Sequence, residues 1–264
     1  MKKDKVLLVV SFGTSYKETR EKTIGAIEND MANAFADMEV RRAFTSGMIM
    51  NVIKKRDGIH IDNVTEAMEK IIADGFKKVY VQPTHILNGD EYEKMLGLIV
   101  PFVPQVDKIV IGAPLLTESK DYEDVCHSIV EETSYAKDDE AVVLMGHGTG
   151  HYVDSAYAAM DYRFKALSYK NYFVGTVEGY PELEDILPMI KEFNPKKVHL
   201  LPMMIVAGDH ATNDMASDEE DSWKTVFENE GYDVAVDLRG MGEFPKIREI
   251  YVNHLKKEIE ENEK

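Results

Sequence analysis

Three side chains that commonly bind metals follow short apolar segments in the second half of the sequence. His147, Glu178 and His210 each lie at or after the end of such a segment. Two imidazoles and one carboxylate can form an open-sided site for a divalent first-row metal, with coordination positions left for another ligand. Exposed loops often carry these residue types without a metal, so ordinary loop residues are the alternative interpretation.

The segment before His147 is the clearest of the three. AVVLM at 141–145 is followed by GHGT, which predicts a short buried strand that ends at a tight turn. The glycines on both sides of His147 carry no side chain, so a bulky ligand can approach this backbone closely. In open α/β sheets, ligands bind beyond the carboxyl ends of the strands, where this turn is expected to lie.

The elements that must position these residues form a repeated pattern of strands and helices. Short apolar segments predict four strands in each half of the chain, at 5–10, 39–44, 78–82, 108–112, 141–145, 172–177, 197–203 and 232–237. Amphipathic segments between them predict helices. The predicted fold is α/β, with two similar lobes, each a roughly four-stranded parallel sheet flanked by helices, and a cleft between the lobes.

A sequence repeat supports the prediction of two related lobes. KKVYVQPTHILNGDE at 77–91 and KKVHLLPMMIVAGDH at 196–210 share Lys-Lys-Val, a proline at the same offset, and Gly-Asp followed by a residue able to bind a metal. The polar stretch at 133–139 is predicted to separate the lobes. The expected domains are an N-terminal lobe at 1–135 and a C-terminal lobe at 136–264 that carries the three candidate ligands.

Two Ser-x-x-Glu sequences predict helix starts. Ser15 with Glu18, and Ser217 with Glu220, have the form of a capping box, in which each side chain bonds the backbone of the other residue. Helices are therefore predicted to begin in these two four-residue stretches.

The overall charge and hydropathy limit the classes of partner. The chain of 264 residues has a formal net charge of −17, which argues against nucleic acid and anionic membrane surfaces. No apolar segment of the sequence approaches the roughly 20 residues needed to span a bilayer. The first apolar run continues into FGTS without a cleavage site, so we expect no signal peptide and a cytoplasmic protein. The oligomeric state stays open, with a homo-oligomer as one alternative.

Motifs for several other chemistries are absent from the sequence. The single cysteine, Cys126, permits neither an intrachain disulfide nor a CxxC metal site. The sequence also has no P-loop, GxGxxG or Ser-His-Asp motif, so no nucleotide cofactor is expected.

Residues near predicted strand ends in the first half have two interpretations each. His85 ends the third predicted strand and either faces the cleft or stabilises a turn at the surface. The backbone at 13–15 either holds an anion or caps a helix. The basic residues Arg41, Arg42 and those at 54–56 either meet substrate carboxylates or form exposed polar faces.

Several motifs together resemble one known family. SFGTSYKETR, AFTSGMI, VQPTHILNGDEY, MGHGTGH, GTVEGYPE and PMMIVAGDHATNDMAS are similar to the anaerobic cobalt chelatases of cobalamin biosynthesis, which are class II, ATP-independent tetrapyrrole chelatases. The resemblance extends from the first strand to Gly240. It implies a two-lobed chelatase fold and insertion of Co²⁺ into sirohydrochlorin. It also implies that His147, Glu178 and His210 are the metal ligands.

The resemblance also suggests roles for individual residues. His147 and His210 are expected to hold the metal while one of them accepts a pyrrole proton, and Glu178 is expected to complete the site. Arg56 is the predicted partner of a substrate carboxylate, because a guanidinium matches a carboxylate bidentately. The predicted tetrapyrrole contacts are Phe12, Gly13, Thr14, Tyr16, His85 and Arg56.

Two alternative functions remain at this stage. A sirohydrochlorin ferrochelatase or a nickel chelatase on the same fold would present similar ligands, because ligand type does not separate Co²⁺ from Fe²⁺ or Ni²⁺. The other alternative is a two-lobed protein that binds a tetrapyrrole or another solute without catalysis.

Overall fold

The computed structural model describes residues 4–263. Backbone contacts divide the chain into two units. Unit 1 contains the chain up to Thr117 and again from Ile247 onward, and unit 2 is Glu118–Lys246. These boundaries differ from the predicted domains at 1–135 and 136–264, whose outer ends lie outside the described residues.

Unit 1 is built on a parallel sheet with the strand order β2-β1-β3-β4. Its strands are β1 (Lys5–Ser11), β2 (Met38–Phe44), β3 (Lys78–Pro83) and β4 (Lys108–Ile111). Its helices before the chain leaves the unit are α1 (Lys17–Lys22), α2 (Ile24–Ala34), α3 (Gly47–Asp57), α4 (Val64–Ala73) and α5 (Asp90–Ile99).

Unit 2 repeats this topology with the strand order β6-β5-β7-β8, and all of its strands are parallel. Its strands are β5 (Ala141–Gly146), β6 (Tyr172–Thr176), β7 (Lys197–Pro202) and β8 (Asp233–Val236). Its helices are α6 (Ser119–Glu132), α7 (Ser155–Ala166), α8 (Leu183–Phe193) and α9 (Trp223–Asn229). The predicted fold class is confirmed, and a strand lies at each of the eight predicted positions. The predicted cleft between the lobes stays a prediction.

The short apolar runs form strands because the inner strands are buried on both faces. Every residue of β5 is buried, and in β1 only Lys5 is not. In unit 2, Val143 and Met145 belong to one core with Ile186 of α8 and Trp223 of α9. Unit 1 has a separate core around its own sheet. None of the described helices combines the length and the apolar composition that crossing a bilayer requires.

The closing helix α10 (Pro245–Asn262) explains why the end of the chain belongs to unit 1. The fully buried Tyr251 donates its hydroxyl to the carbonyl oxygens of Thr84 at 2.9 Å and His85 at 3.2 Å, just after β3. Arg248 Nε lies 2.6 Å from Asp30 Oδ2 in α2. These long-range contacts hold α10 against the first sheet, although it follows the second sheet in sequence.

A helix begins within the first Ser-x-x-Glu sequence, but neither sequence forms the predicted capping box. α1 begins at Lys17, and its N-cap residue Tyr16 makes no side-chain capping bond. Before α9 the capping residue is Ser222, while the hydroxyl of Ser217 accepts from the Glu219 amide in a turn. Short polar side chains bond nearby backbone in turns as readily as at helix ends, so the spacing alone does not locate the cap.

One buried pair of ionisable residues lies at the amino ends of β5 and β7. Nε2 of His199 is 2.8 Å from Oε2 of Glu140, and the two side chains are only 9% and 11% exposed. The hydrogen bond with His199 lowers the pKa of Glu140 to about 2, although burial opposes this shift.

This pair predicts a dependence of stability on acid. Because the pKa of Glu140 falls on folding from its ordinary 4.5, its carboxylate stabilises the fold above about pH 4.5, and this contribution is lost as the pH falls towards 2. Glu140→Gln is expected to lower the free energy of unfolding at pH 7 by roughly 1–2 kcal/mol. It should also flatten the decline of stability below pH 4.5.

Urea unfolding of both proteins between pH 2 and 7 measures the two effects. Glu192→Gln, on the exposed face of α8, is the matched control. A Glu140→Gln protein that is as stable as this control, with the same acid profile, contradicts the prediction.

Candidate metal centre

The carboxyl edge of the unit 2 sheet brings the three predicted ligands together. β5 lies between β6 and β7, so the loops after these three strands are neighbours. The rings of His147 and His210 are 4.5 Å apart between centroids and nearly perpendicular, at 81°. Nδ1 of His147 lies 3.8 Å from Oε2 of Glu178. The three side chains are part-exposed and can be reached from solvent.

Backbone bonds between two loops place Glu178 beside His147. The Glu178 amide donates to the carbonyl of His147 at 2.8 Å, and the Val177 amide donates to the carbonyl of Gly146 at 3.1 Å. Gly148 adopts a φ of 81°, which disfavours side-chain-bearing residues. A Cβ built on Gly148 would lie 2.3 Å from the Gly179 amide nitrogen. The close approach of the two loops therefore requires a glycine at this position.

Two residues that the sequence analysis missed hold these loops in place. Asp154 Oδ1 accepts from the Thr149 amide at 2.9 Å, and its Oδ2 accepts from the Tyr180 amide at 2.6 Å. Tyr157 is buried against Gly146, and burial raises the pKa of its phenol to about 12, so it stays protonated. In the sequence, nothing distinguishes Asp154 or Tyr157 from ordinary residues near the beginning of a helix.

The hydrogen bonds of the two histidines determine which ring nitrogens are available. Nδ1 of His147 is 3.0 Å from the carbonyl oxygen of Gly148, and a carbonyl only accepts, so Nδ1 carries the proton. Nδ1 of His210 is 2.7 Å from Oδ2 of Asp214, one turn further along the chain. Nε2 of each ring therefore carries the lone pair that can bind a metal.

Asp214 is expected to support metal binding without touching the metal. Removing the carboxylate partner of a metal-binding histidine typically costs about 10–100-fold in metal affinity, because the ring becomes less basic and less well oriented. Asp214→Asn should therefore weaken Co²⁺ binding by about tenfold. Calorimetric titration with Co²⁺ measures this, with Asp218→Asn on an exposed loop as the control. Equal affinities in the two variants would show that Asp214 does not support His210.

A closer group of metal-binding side chains occurs in unit 1, and the ligand atoms of His147, Glu178 and His210 are spaced more widely than those of this group. Among the described residues, ligand atoms of His60, Asp62 and Glu66 lie within 4.8 Å of one another. Lys70 Nζ already contacts both oxygens of Asp62, at 2.6 and 2.8 Å. Glu66 accepts from the Asn63 amide in the capping box of α4. The ammonium of Lys70 thus already supplies a cation to this cluster, and we assign no metal to it.

The structure brings two of the six predicted tetrapyrrole contacts, Tyr16 and Arg56, to one pocket. It has a volume of about 450 Å³ and is lined by Tyr16, Lys17, Glu18, Thr19, Arg56 and Asp57. Arg56 binds both oxygens of Asp57 at 2.8 Å and donates to the Ser15 carbonyl at 2.6 Å. It therefore has a carboxylate partner within the chain, which the sequence did not predict.

The other four predicted contacts differ in exposure. Phe12 is exposed, whereas Thr14 is buried and its hydroxyl accepts from the Tyr16 amide at 3.3 Å. Gly13 has a φ of 104° and packs under the ring of Phe44, so it shapes the turn after β1. Burial lowers the pKa of His85 to about 4, so its ring is neutral near pH 7. Contact between any of these residues and a tetrapyrrole stays a prediction.

Fold and site together define the class as an α/β protein of two parallel-sheet units, with His147, Glu178 and His210 at the carboxyl edge of the second sheet. A family model described as cobalt chelatase (CbiK) matches residues 5–260. The chain therefore belongs to the cobalt chelatase (CbiK) family.

Two relatives are similar over nearly the whole chain. The sirohydrochlorin cobaltochelatase of Salmonella typhimurium is 43% identical over 251 residues, which cover 95% of each chain. The sirohydrochlorin cobaltochelatase CbiKC of Nitratidesulfovibrio vulgaris is 33% identical over 258 residues, covering 95% of this chain and 89% of that one.

Solved structures support the fold alone. SirB from Bacillus subtilis with Fe³⁺ superposes with a TM-score of 0.68 at 13% identity, covering 98% of this chain and 97% of that chain. CbiX, described as the terminal enzyme for biosynthesis of siroheme in denitrifying bacteria, superposes with a TM-score of 0.58 at 16% identity, covering 96% and 98%.

Proposed function

We propose that this protein inserts Co²⁺ into sirohydrochlorin without a nucleotide. The observation that carries the proposal is the cluster of His147, Glu178 and His210 at the carboxyl edge of the unit 2 sheet. The chain also belongs to the cobalt chelatase family, and its two relatives are named for this reaction. Co²⁺ is the proposed metal substrate, with Fe²⁺ and Ni²⁺ as alternatives that the same ligand types would accept.

Insertion requires the macrocycle to lose two pyrrole protons while the metal moves from protein ligands to ring nitrogens. Nε2 of His147 and Nε2 of His210 are the proposed ligands, because their Nδ1 atoms are engaged with Gly148 and Asp214. Glu178 is the proposed carboxylate of the open-sided site. Its Oε2 lies 3.8 Å from Nδ1 of His147, so its exposed side chain must turn towards the Nε2 side to reach the metal.

His210 is the proposed proton acceptor. Asp214 lies 2.7 Å from its Nδ1 and would stabilise the imidazolium that forms when Nε2 takes a pyrrole proton. Nδ1 of His147 is 3.0 Å from a carbonyl oxygen, and the Glu178 carboxylate is 3.8 Å away, beyond hydrogen-bond distance, so an imidazolium at His147 is stabilised less strongly. As the metal leaves Nε2 of His210 for the ring, the freed lone pair can accept one pyrrole proton, and the second proton passes to solvent, which reaches these exposed side chains.

The predicted tetrapyrrole contacts belong to the same proposal. Exposed Phe12 and Tyr16 offer aromatic faces on which a macrocycle could lie. Gly13 and Thr14 shape the turn between them, neutral His85 offers an uncharged ring, and Arg56 can pair with a substrate carboxylate. The cytoplasmic location and a homo-oligomer stay predictions.

An anaerobic absorbance assay tests the proposal. Purified protein is mixed with excess sirohydrochlorin and Co²⁺, Fe²⁺ or Ni²⁺ in turn, with and without ATP, and compared with a protein-free control. We expect many turnovers with Co²⁺, unaffected by ATP. Product that stops at one equivalent per protein would indicate a tetrapyrrole-binding protein, and a faster reaction with Fe²⁺ would indicate a ferrochelatase.

A further inference from the structure

Arg20 in α1 is a buried arginine that lacks a close carboxylate partner. It is only 3% exposed, and it is the buried residue of α1. Its Nη1 donates to the Thr14 carbonyl over a long 3.4 Å, and its Nε has no hydrogen-bond partner among the described residues. The nearest carboxylate oxygen, on the exposed Glu21, is 3.9 Å from Nε. Of the guanidinium nitrogens, Nε is thus a buried donor that no described residue satisfies.

The other arginines of unit 1 show that this is unusual in the chain. Each of them has a carboxylate oxygen within 2.8 Å, and these residues are Arg41, Arg42, Arg56 and Arg248. The chain contains 48 Asp and Glu against 31 Lys and Arg, so acidic partners are plentiful. Burying a charge without a partner is unfavourable. The described contacts of the Arg20 side chain are all long, so its charge can take a closer anionic partner.

Three cations, Arg20, Lys17 and Arg56, surround the turn after β1, against Glu18 and Asp57 in the pocket wall, of which Asp57 already pairs with Arg56. Thr14 lies in the turn after β1, at the carboxyl edge of the unit 1 sheet, and the hydroxyl of Thr45 after β2 is also buried without a partner. Lys17 lines the adjacent pocket and forms no ion pair among the described residues. The charge of Arg20 also reaches that pocket. The pKa of Asp57 in its wall is lowered chiefly by the hydrogen bond with Arg56 and further by Arg20 and Lys17.

We propose that Arg20 and Lys17, with Arg56 at the rim, form a binding site for a carboxylate group at the turn after β1. This inference rests on the proposed function for its ligand, because a substrate that carries several carboxylates would bring such a group. The long bond to Thr14 holds the guanidinium only weakly, so its flexible side chain can turn to meet the carboxylate. Arg20 is a substrate-binding residue in this proposal and takes no part in metal binding.

Arg20→Met tests the site, with Arg42→Met as the matched control. Arg42 is held by two bonds to Glu28, at 2.6 and 2.5 Å, so its loss removes a formed ion pair. Thermal unfolding of the ligand-free proteins is compared with fluorescence titrations of metal-free sirohydrochlorin. The binding titration needs no turnover, so it still judges Arg20 if the wild-type protein inserts no cobalt.

We expect Arg20→Met to unfold at the wild-type temperature or above, because it removes a buried charge that has no close partner. Its dissociation constant for sirohydrochlorin should rise about 10–100-fold, the usual range for losing hydrogen bonds to a charged group. Arg20→Lys should recover part of the affinity. Arg42→Met should unfold at a lower temperature and bind sirohydrochlorin normally.

Two results would overturn the inference. If Arg20→Met unfolds at as low a temperature as Arg42→Met and binds sirohydrochlorin normally, Arg20 only supports the fold. A parallel arm adds inorganic sulfate during thermal unfolding. If sulfate stabilises the wild-type protein but not Arg20→Met, and sirohydrochlorin binding is unchanged, the site takes free anions and not the substrate.

Discussion

His147→Ala and His210→Ala are each expected to lower the rate of cobalt insertion by at least about a hundredfold. Each substitution removes a proposed metal ligand, and the second also removes the proposed proton acceptor. The two side chains are 46% and 33% exposed, so their removal leaves no core cavity, and the unfolding temperature should change little. Initial rates at saturating sirohydrochlorin and Co²⁺, followed by absorbance, measure the effect.

His127→Ala is the control for the loss of a histidine at the surface. His127 is part-exposed in α6, where its Nδ1 is 3.0 Å from the hydroxyl of Tyr169. This variant should insert cobalt at the wild-type rate. If His147→Ala or His210→Ala also keeps that rate while remaining folded, the residue in question is neither an essential ligand nor the base.

The strands and the three clustered side chains could be predicted because both depend on local sequence. A strand inside a parallel sheet is buried on both faces, so its apolar run stands out from its neighbours. His147 directly follows β5, Glu178 is two residues after β6 and His210 is eight residues after β7. The parallel arrangement then brings these strand ends to one edge. The sequence repeat between the two halves also predicted that both units have the same topology.

The residues that support the cluster could not be predicted, because they act through contacts made only after the loops close. Asp154 joins two loops through amides that are 31 residues apart along the chain, at Thr149 and Tyr180. Asp214 is one of many acidic residues in the sequence, and only the fold places it against His210. The acidic partners of the arginines could not be predicted either, because Arg56 and Arg42 form ion pairs with acids that no rule of sequence spacing selects.

The unit boundaries were missed for a similar reason. The polar stretch at 133–139 resembles a linker, yet α6 before it folds with unit 2. The helix α10 follows the last strand of unit 2 but is anchored to unit 1 by the buried hydroxyl of Tyr251. Which sheet a flanking helix covers depends on surface complementarity, and an amphipathic pattern carries no information about that choice.

Gly148→Ala is expected to disrupt the candidate metal centre without removing any ligand. At a φ of 81°, alanine is strained by roughly 1 kcal/mol even in open space. Its Cβ would also lie 2.3 Å from the Gly179 amide nitrogen and 2.7 Å from the carbonyl carbon of Glu178. Both are backbone atoms, so the loop after β6 must move away as a whole.

Because the Glu178 amide bonds the His147 carbonyl, this movement would separate the two side chains. We expect the free energy of unfolding to fall by about 2–4 kcal/mol. Cobalt insertion should slow by about a hundredfold, the cost of displacing an active-site group by about 1 Å. Gly150→Ala, two residues along the same loop, is the matched control, because a Cβ there meets nothing within 4 Å. Chemical unfolding and cobalt insertion rates are measured for both variants, and only Gly148→Ala should be less stable and slower. If the two variants have the same stability and the same rate, the contact between the two loops does not position Glu178.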